Sequence, residues 1–234
     1  MADNNAGSLY STTVIDKDFY AIEENGVRCF LIVGEDRALL IDTGYGNGNI
    51  ANYIMRITDK PVTLINTHTD GDHIGGNNLF EKIYMHPAEF DYYSQKNNRK
   101  PLPIWEGDVI SCGDYSLEVI LIPGHTPGSI ALLDRKHRFL ISGDSVSRVP
   151  IFMFNQGRNM YAYIASMKKL RTFKDCFDKI YTSHGELVQY PSIIDELIEG
   201  AEAVITGNVE PENPPRPLPC KLYRYKNVMF LIRY

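Results

Sequence analysis

The chain has 234 residues, 44% apolar and 23% charged, with a formal net charge of −5; that is enough for one large domain with a real core and ordinary for a soluble globular protein. The acidic balance and the lack of any Lys/Arg cluster argue against a nucleic acid or an anionic membrane as partner, no apolar run approaches the length that spans a bilayer, and the polar opening MADNNAGSLYSTT lacks the charged-then-apolar pattern of an export signal. The four cysteines, Cys29, Cys112, Cys176 and Cys220, are scattered with no CxxC pair, so reduced thiols and a cytoplasmic location are expected.

In chain order, FYAIEEN (19–25), VRCFLIVG (27–34) and RALLID (37–42) read as strands around short turns. GYGNGNIANYIMRIT (44–58) opens in glycine and continues as an amphipathic helix. PVTLIN (61–66) is a short apolar strand, NNLFEK a short helix, KIYMH (82–86) a strand. Pro87 suits the first position of a helix running to about Lys96, with NNRKPLPIW (97–105) as a loop. The second half repeats the theme. YSLEVILI (115–122), SIALLD (129–134) and RFLIS (138–142) are strands; MYAYIASMKKLRTF (160–173) is a helix by its three-to-four spacing; KIYTS (179–183) is a strand and SIIDELIEGAEAVI (192–205) a helix. EPENPPRPLP (210–219) reads as a linker, and 221–234 as a hairpin around Lys226-Asn227 that adds strands to a sheet or covers its edge, a second copy of the chain being the alternative partner. Strands followed by helix–strand alternation, twice, predict sheets covered by helices within one domain, 1–234.

Four strand ends carry chemistry. His68-Thr-Asp70-Gly-Asp72-His73 follows VTLIN, His125 lies in PGHTPGS after LEVILI, Asp144 in SGDS after RFLI, and His184 in SHGE after KIYT. Each is flanked by glycine, which lets a backbone turn sharply, and imidazole and carboxylate are the ligands of zinc, iron and manganese. Singly, each has a bland reading: an Asp-His pair before a helix can be a cap, and a histidine in a turn can be solvated. Four such coincidences in one chain favour one converging metal site. His86, before a helix-starting proline, reads as structural, and His137, in the charged turn Asp134-Arg-Lys-His137, as solvated. An EF-hand fails because its fifth ligand position is Ile74 and a strand leads in. A dinucleotide loop at GYGNGN fails because the third glycine and the later acid are missing.

Together these residues resemble the metallo-β-lactamase superfamily and its glyoxalase-II-like core. LIDTG (40–44), THTDGDHIGG (67–76), PGHTPGS (123–129) and SGDS (142–145) come in the family's order, followed by SHG (183–185). The resemblance covers about residues 18–200. It implies an α/β chain folded as a four-layer αββα sandwich, two facing mixed sheets with helices outside, and two divalent metal ions at the sheet edge, zinc first. Carried over by position, His68 and His125 would hold one metal, Asp72, His73 and His184 the other, Asp144 would bridge them, and Asp42 would support the ligand loops. The family motif reads His-x-His-x-Asp-His, and its middle histidine is Asp70 here. A carboxylate is a competent zinc ligand, adds negative charge and harder oxygen, and so shifts preference toward iron or manganese and makes a bound hydroxide less acidic. The alternative is that Asp70 is too short to reach a metal.

The implied activity is hydrolysis of an ester, thioester, lactone or amide carbonyl of a small molecule by metal-bound hydroxide, with Asp72 orienting the nucleophile and passing on its proton. The alternatives are a non-catalytic metal-binding or sensor module and an iron-dependent thiol dioxygenase of the same superfamily. VSRVPIFMFNQGRNMYAYIA (146–165) follows Asp144 and offers Arg148, Phe152, Met153, Phe154, Arg158, Tyr161 and Tyr163 as a substrate wall, the competing reading being ordinary packing.

Overall fold

The structure, a computed structural model, describes residues 9–233; the polar opening 1–8 and residue 234, the last of the expected hairpin, lie outside the described residues. The first sheet has seven strands in spatial order β1 (Tyr10–Asp16), β2 (Phe19–Glu24), β3 (Val27–Val33), β4 (Ala38–Ile41), β5 (Val62–Ile65), β6 (Ile83–Met85) and β7 (Leu102–Pro103). The first four pair antiparallel through tight turns; Asn25 and Gly26 between β2 and β3 both take positive φ, at 51° and 86°, as a two-residue hairpin turn requires. From β4 to β7 pairing is parallel, so the chain must cross over each time. The crossovers carry α1 (Ile50–Ile54), α2 (Gly71–Ile74) and α3 (Phe90–Ser94).

The second sheet is built from β8 (Val109–Cys112), β9 (Tyr115–Leu121), β10 (Ile130–Asp134), β11 (Phe139–Ile141) and, after β12 (Ile151–Met153), β13 (Lys179–Tyr181) and β14 (Val188–Gln189), in spatial order β14-β13-β11-β10-β9-β8. Only β11 and β13 are parallel; α4 (Met160–Arg171) lies between β12 and β13 in sequence, and α5 (Ile193–Ile205) follows β14.

Strand periodicity divides the core into layers. Phe30 and Ile32 of β3 face inward with Phe19, Leu39 and Ile41 onto Leu117, Val119, Leu132 and Phe139 of the second sheet. Leu31 and Leu40 point the other way, onto Ile50, Ile54, Phe80 and Tyr93. The outer face of the second sheet, through Ile120, Leu133 and Leu140, packs on Met167, Leu170, Leu197 and Ala201 of α4 and α5. This is the expected αββα sandwich. Among the described residues no helix is long and apolar enough to cross a membrane.

Several boundaries differ from the sequence reading. The helix expected over 44–58 shrinks to α1, because Gly46 takes φ 73° and a side chain there would collide with the Gly75 backbone at 2.3 Å. The loop is held open for that close approach. The helix expected from Pro87 begins as a 3-10 turn, Pro87–Glu89, before α3. β1 went unread because it is exposed apart from Tyr10 and the half-buried Ile15 and its centre is Ser-Thr-Thr, so it shows no apolar alternation. The hairpin forms as β15 (Lys221–Tyr225) and β16 (Val228–Ile232) but joins neither large sheet; β16 pairs parallel with β12 in a third, three-stranded sheet packed on α5.

Candidate metal centre

Loops leaving β5, β9, β11 and β13 bring all seven expected ligands together. In one group His125 Nε2 lies 3.2 Å from His68 Nε2 and 3.3 Å from Asp70 Oδ2, which is itself 3.6 Å from His68 Nε2. In the other, His184 Nε2 lies 3.2 Å from Asp72 Oδ2, and His73 completes the cluster. Asp144 stands between them: Oδ1 is 3.1 Å from His73 Nε2, while Oδ2 is 3.4 Å from His184 Nε2 and 3.7 Å from His125 Nε2.

Every imidazole is turned the same way. Nδ1 of His73 meets Asp42 Oδ2 at 2.8 Å, that of His125 the Phe152 carbonyl at 3.0 Å, that of His184 the Gly26 carbonyl at 3.0 Å, and that of His68 the Thr67 hydroxyl at 3.0 Å. With Nδ1 engaged outward, each Nε2 presents a lone pair inward, the arrangement in which an outer partner sets the tautomer of a metal-binding histidine. Asp42 is the hub of this support. It is 1% exposed, takes φ 63°, and also accepts from the Thr67 amide and hydroxyl at 2.8 and 2.7 Å. Its oxygens are spent on these donors, which makes it a buttress rather than a ligand.

The residues present fit a divalent cation. Two buried atoms, His73 Nε2 and Asp144 Oδ1, have no hydrogen-bond partner, and the donors are the imidazole and carboxylate set that zinc, manganese and iron take. Electrostatics agree. Burial pushes the Asp144 carboxyl up, but His73 and His184 outweigh it and hold it well below the carboxylate range. Burial likewise opposes, and His184 and His73 overcome, in lowering Asp72. For Asp70, the neighbouring His125 and His68 outweigh burial and hold its carboxyl well below the usual carboxylate range.

A cavity of about 550 Å³ opens over Asp70, Asp72, Asp144 and His184. Its walls include Tyr45, Tyr92, Val149, Pro150, Ile151 and Phe152, with Lys96 and Asn155 as polar members. Of the expected substrate contacts only Phe152 lines it; Phe154 packs on the Phe152 ring at 5.3 Å without reaching the wall. The others are corrected. Arg148 is ion-paired with Glu196 at 3.1 Å. Tyr163 is fully buried, its hydroxyl donating to the Ser145 carbonyl at 2.8 Å. Tyr161, 71% exposed on the opposite side of the α4 turn from that core, is absent from the wall. Met153 is buried in the core.

A sequence profile of the metallo-beta-lactamase superfamily matches residues 22–184. The chain belongs to the metallo-β-lactamase superfamily. Among relatives, it is 29% identical to a chicken (Gallus gallus) protein named acyl-coenzyme A thioesterase MBLAC2, over 73% of this chain and 76% of that one. Against the human protein of the same name the match is 28%, over 56% of this chain and 62% of the relative. It is 31% identical to a hydroxyacylglutathione hydrolase of Bdellovibrio bacteriovorus, over 57% and 54%. A metallo-beta-lactamase from Pontibacter korlensis superposes with a TM-score of 0.72 at 16% identity, over 82% of this chain and 99% of that one, a likeness of fold.

The chain also uses residues that the sequence did not mark. Glu89, 1% exposed, accepts from the Thr69 amide at 3.1 Å and hydroxyl and from the Gly128 amide at 2.6 Å, tying the His68–His73 loop to the His125 loop. Glu24 is buried and accepts from the Gly46 and Asn47 amides at 3.2 and 2.9 Å, holding the loop that carries Tyr45. A glutamate amid PAEF or AIEEN carries no pattern that sets it apart from a solvated one. His86, read as structural, lies outside the cluster and caps the 3-10 turn by accepting from the Ala88 amide at 3.2 Å. His137, expected to be solvated, has a side chain only 20% exposed, its ring tilted against that of Tyr115 with centroids 4.3 Å apart.

Proposed function

We propose that the protein is a metal-dependent hydrolase of a small acyl compound, a thioester first, then an ester, lactone or amide. The observation that carries this is the convergence of four inward Nε2 atoms and three carboxylates in one cluster, of which Asp70, Asp72, Asp144 and His184 line a cavity with aromatic walls. The relatives named as a thioesterase and as a hydrolase of acylated glutathione support the choice of thioester.

His68, Asp70 and His125 would hold one divalent ion, Asp72, His73 and His184 a second, and Asp144 would serve both; zinc is the first expectation. Such ions supply Lewis acidity, which polarises a carbonyl and brings the pKa of water to about 7. The chain does the rest. Asp72, on the cavity wall, orients the attacking water and takes its proton for delivery to the leaving group. Tyr45, Tyr92 and Phe152 hold the apolar part of the substrate and exclude water. Asp42 and Glu89 keep the ligand loops still.

The test is elemental analysis of the protein as purified, with turnover of acyl thioesters, esters, lactones and amides before and after chelation. Metal near two per chain and chelation-sensitive thioester cleavage support the reading. Metal-loaded protein that turns over none of the four classes sinks it.

A further inference from the structure

Arg158, at the end of the loop before α4, is buried beside the first ligand group, with a side chain 3% exposed. Its Nη2 donates to both carboxylate oxygens of Asp70, at 2.7 and 2.6 Å, and its Nη1 donates to the His125 carbonyl. Asp70 stands at the N-cap of α2, yet its side chain makes no capping bond. Its Oδ2 instead faces His125 Nε2 and His68 Nε2 at 3.3 and 3.6 Å. One carboxylate is thus divided between a guanidinium on one side and a ligand cluster on the other. Arg158 also joins, through a single side chain, two ligands that come from different loops.

We propose that Asp70 and Arg158 form one ligand unit, neutral overall, in which Asp70 contacts the metal and Arg158 is the positioning residue that sets its orientation and charge. This rests on the metal-site reading above. A carboxylate whose two oxygens accept from a guanidinium gives less charge to a metal than a free one. The harder, more negative first site that Asp70 by itself predicts is offset by Arg158, and the unit presents the net charge of a neutral imidazole. The pull toward iron or manganese is correspondingly reduced, and zinc remains competitive.

The two residues should therefore depend on each other. Asp70→His supplies a good ligand but strands a buried guanidinium with no carboxylate beside a divalent ion, which is strongly unfavourable. Arg158→Met leaves the carboxylate without its orienting partner, and loss of such an outer partner weakens metal binding about 10- to 100-fold. Changing both residues restores the balance of charge.

The experiment measures metal content and zinc affinity of the parent, Asp70→His, Arg158→Met and the double variant, with circular dichroism and thermal unfolding to check the fold. The expected result is two metal ions in the parent, one in Asp70→His, and two again in the double variant, whose first-site affinity exceeds that of Asp70→His by at least about tenfold. Arg158→Lys, which keeps the charge without the two-oxygen grip, should bind the first metal more tightly than Arg158→Met, and serves if the latter does not fold. A parent that binds no metal sinks the metal-site reading itself. A parent with both metals whose Asp70→His variant also keeps both, or whose double variant binds no better than Asp70→His, overturns the pairing and leaves the site standing.

Discussion

His73 Nε2 and Asp144 Oδ1 lie 3.1 Å apart, both buried, and share no hydrogen bond. With the imidazole proton on Nδ1, directed at Asp42, the two atoms face each other as lone pairs. That arrangement is stable only if a cation, metal or proton, comes between them.

A proton is the alternative occupant, and this gives a pH dependence. Burial pulls His184 down, but Asp144 and Asp72 outweigh it and lift it to about 10. His73 is raised well above its usual value by Asp144 and Asp42 against the same burial. In metal-free protein the charged imidazoles stabilise the fold fully below their unfolded pKa of about 6.5. That contribution is lost as pH rises through about 10 for His184. Metal-stripped protein should therefore lose thermal stability across this window, and metal-loaded protein should not. Calorimetric metal titration at pH 7 in buffers of differing ionisation enthalpy should show proton release. Parallel stability curves for the two forms would count against the idea.

Glu89→Gln leaves a side chain with one acceptor oxygen where Thr69 and Gly128 both donate to carboxylate oxygens. The unmet donor costs about 1–3 kcal/mol. The melting temperature should drop by several degrees and metal affinity should fall, without a change in substrate preference. Unaltered metal affinity would show that the two loops hold their ligands without this strap.

Phe152→Ala removes a cavity wall, 40% exposed, and should raise KM for apolar acyl substrates several-fold with kcat little changed, the mark of lost uniform binding. Arg148→Ala breaks a partly exposed pair with Glu196 worth at most about 1 kcal/mol, and should leave both constants alone. Steady-state kinetics on one acyl series decides between them, and a large kcat effect at Arg148 would restore it to the site.

Cys29 and Cys112 are buried, and burial pushes both thiols up. A chromogenic disulfide reagent at pH 8 should react promptly with only Cys176 and Cys220, which are partly exposed, and with all four thiols after denaturation. Prompt reaction of all four in native protein would contradict the packing.

The candidate ligands were legible because residue type marks them and apolar runs announce the strands that end in them. The sandwich followed from the same runs: four successive buried residues in β4 read as a strand covered on both faces. The supports were not legible. Asp70 and Arg158 are 88 residues apart, and nothing in GRNMY says that its arginine turns back to a strand end. Tyr163 was misassigned because proximity to Asp144 in sequence says nothing of which face of α4 packs inward; that depends on the register of the helix against β16, where Tyr163 meets Phe230 at 5.8 Å.

The parallel pairing of β12 with β16 sets Phe152 opposite Leu231, and the Phe152 carbonyl orients His125. These partners are about eighty residues apart in the chain. At a translation rate of about 5–20 residues per second, a ribosome makes β12 roughly 4–16 seconds before it makes β16. During that interval the nascent chain has its histidines and carboxylates in place by sequence, but not the strand that steadies one of them. Under the proposed function metal would load only after β16 is made, and a chain stopped before Val228 should carry little metal even with all its candidate ligands present.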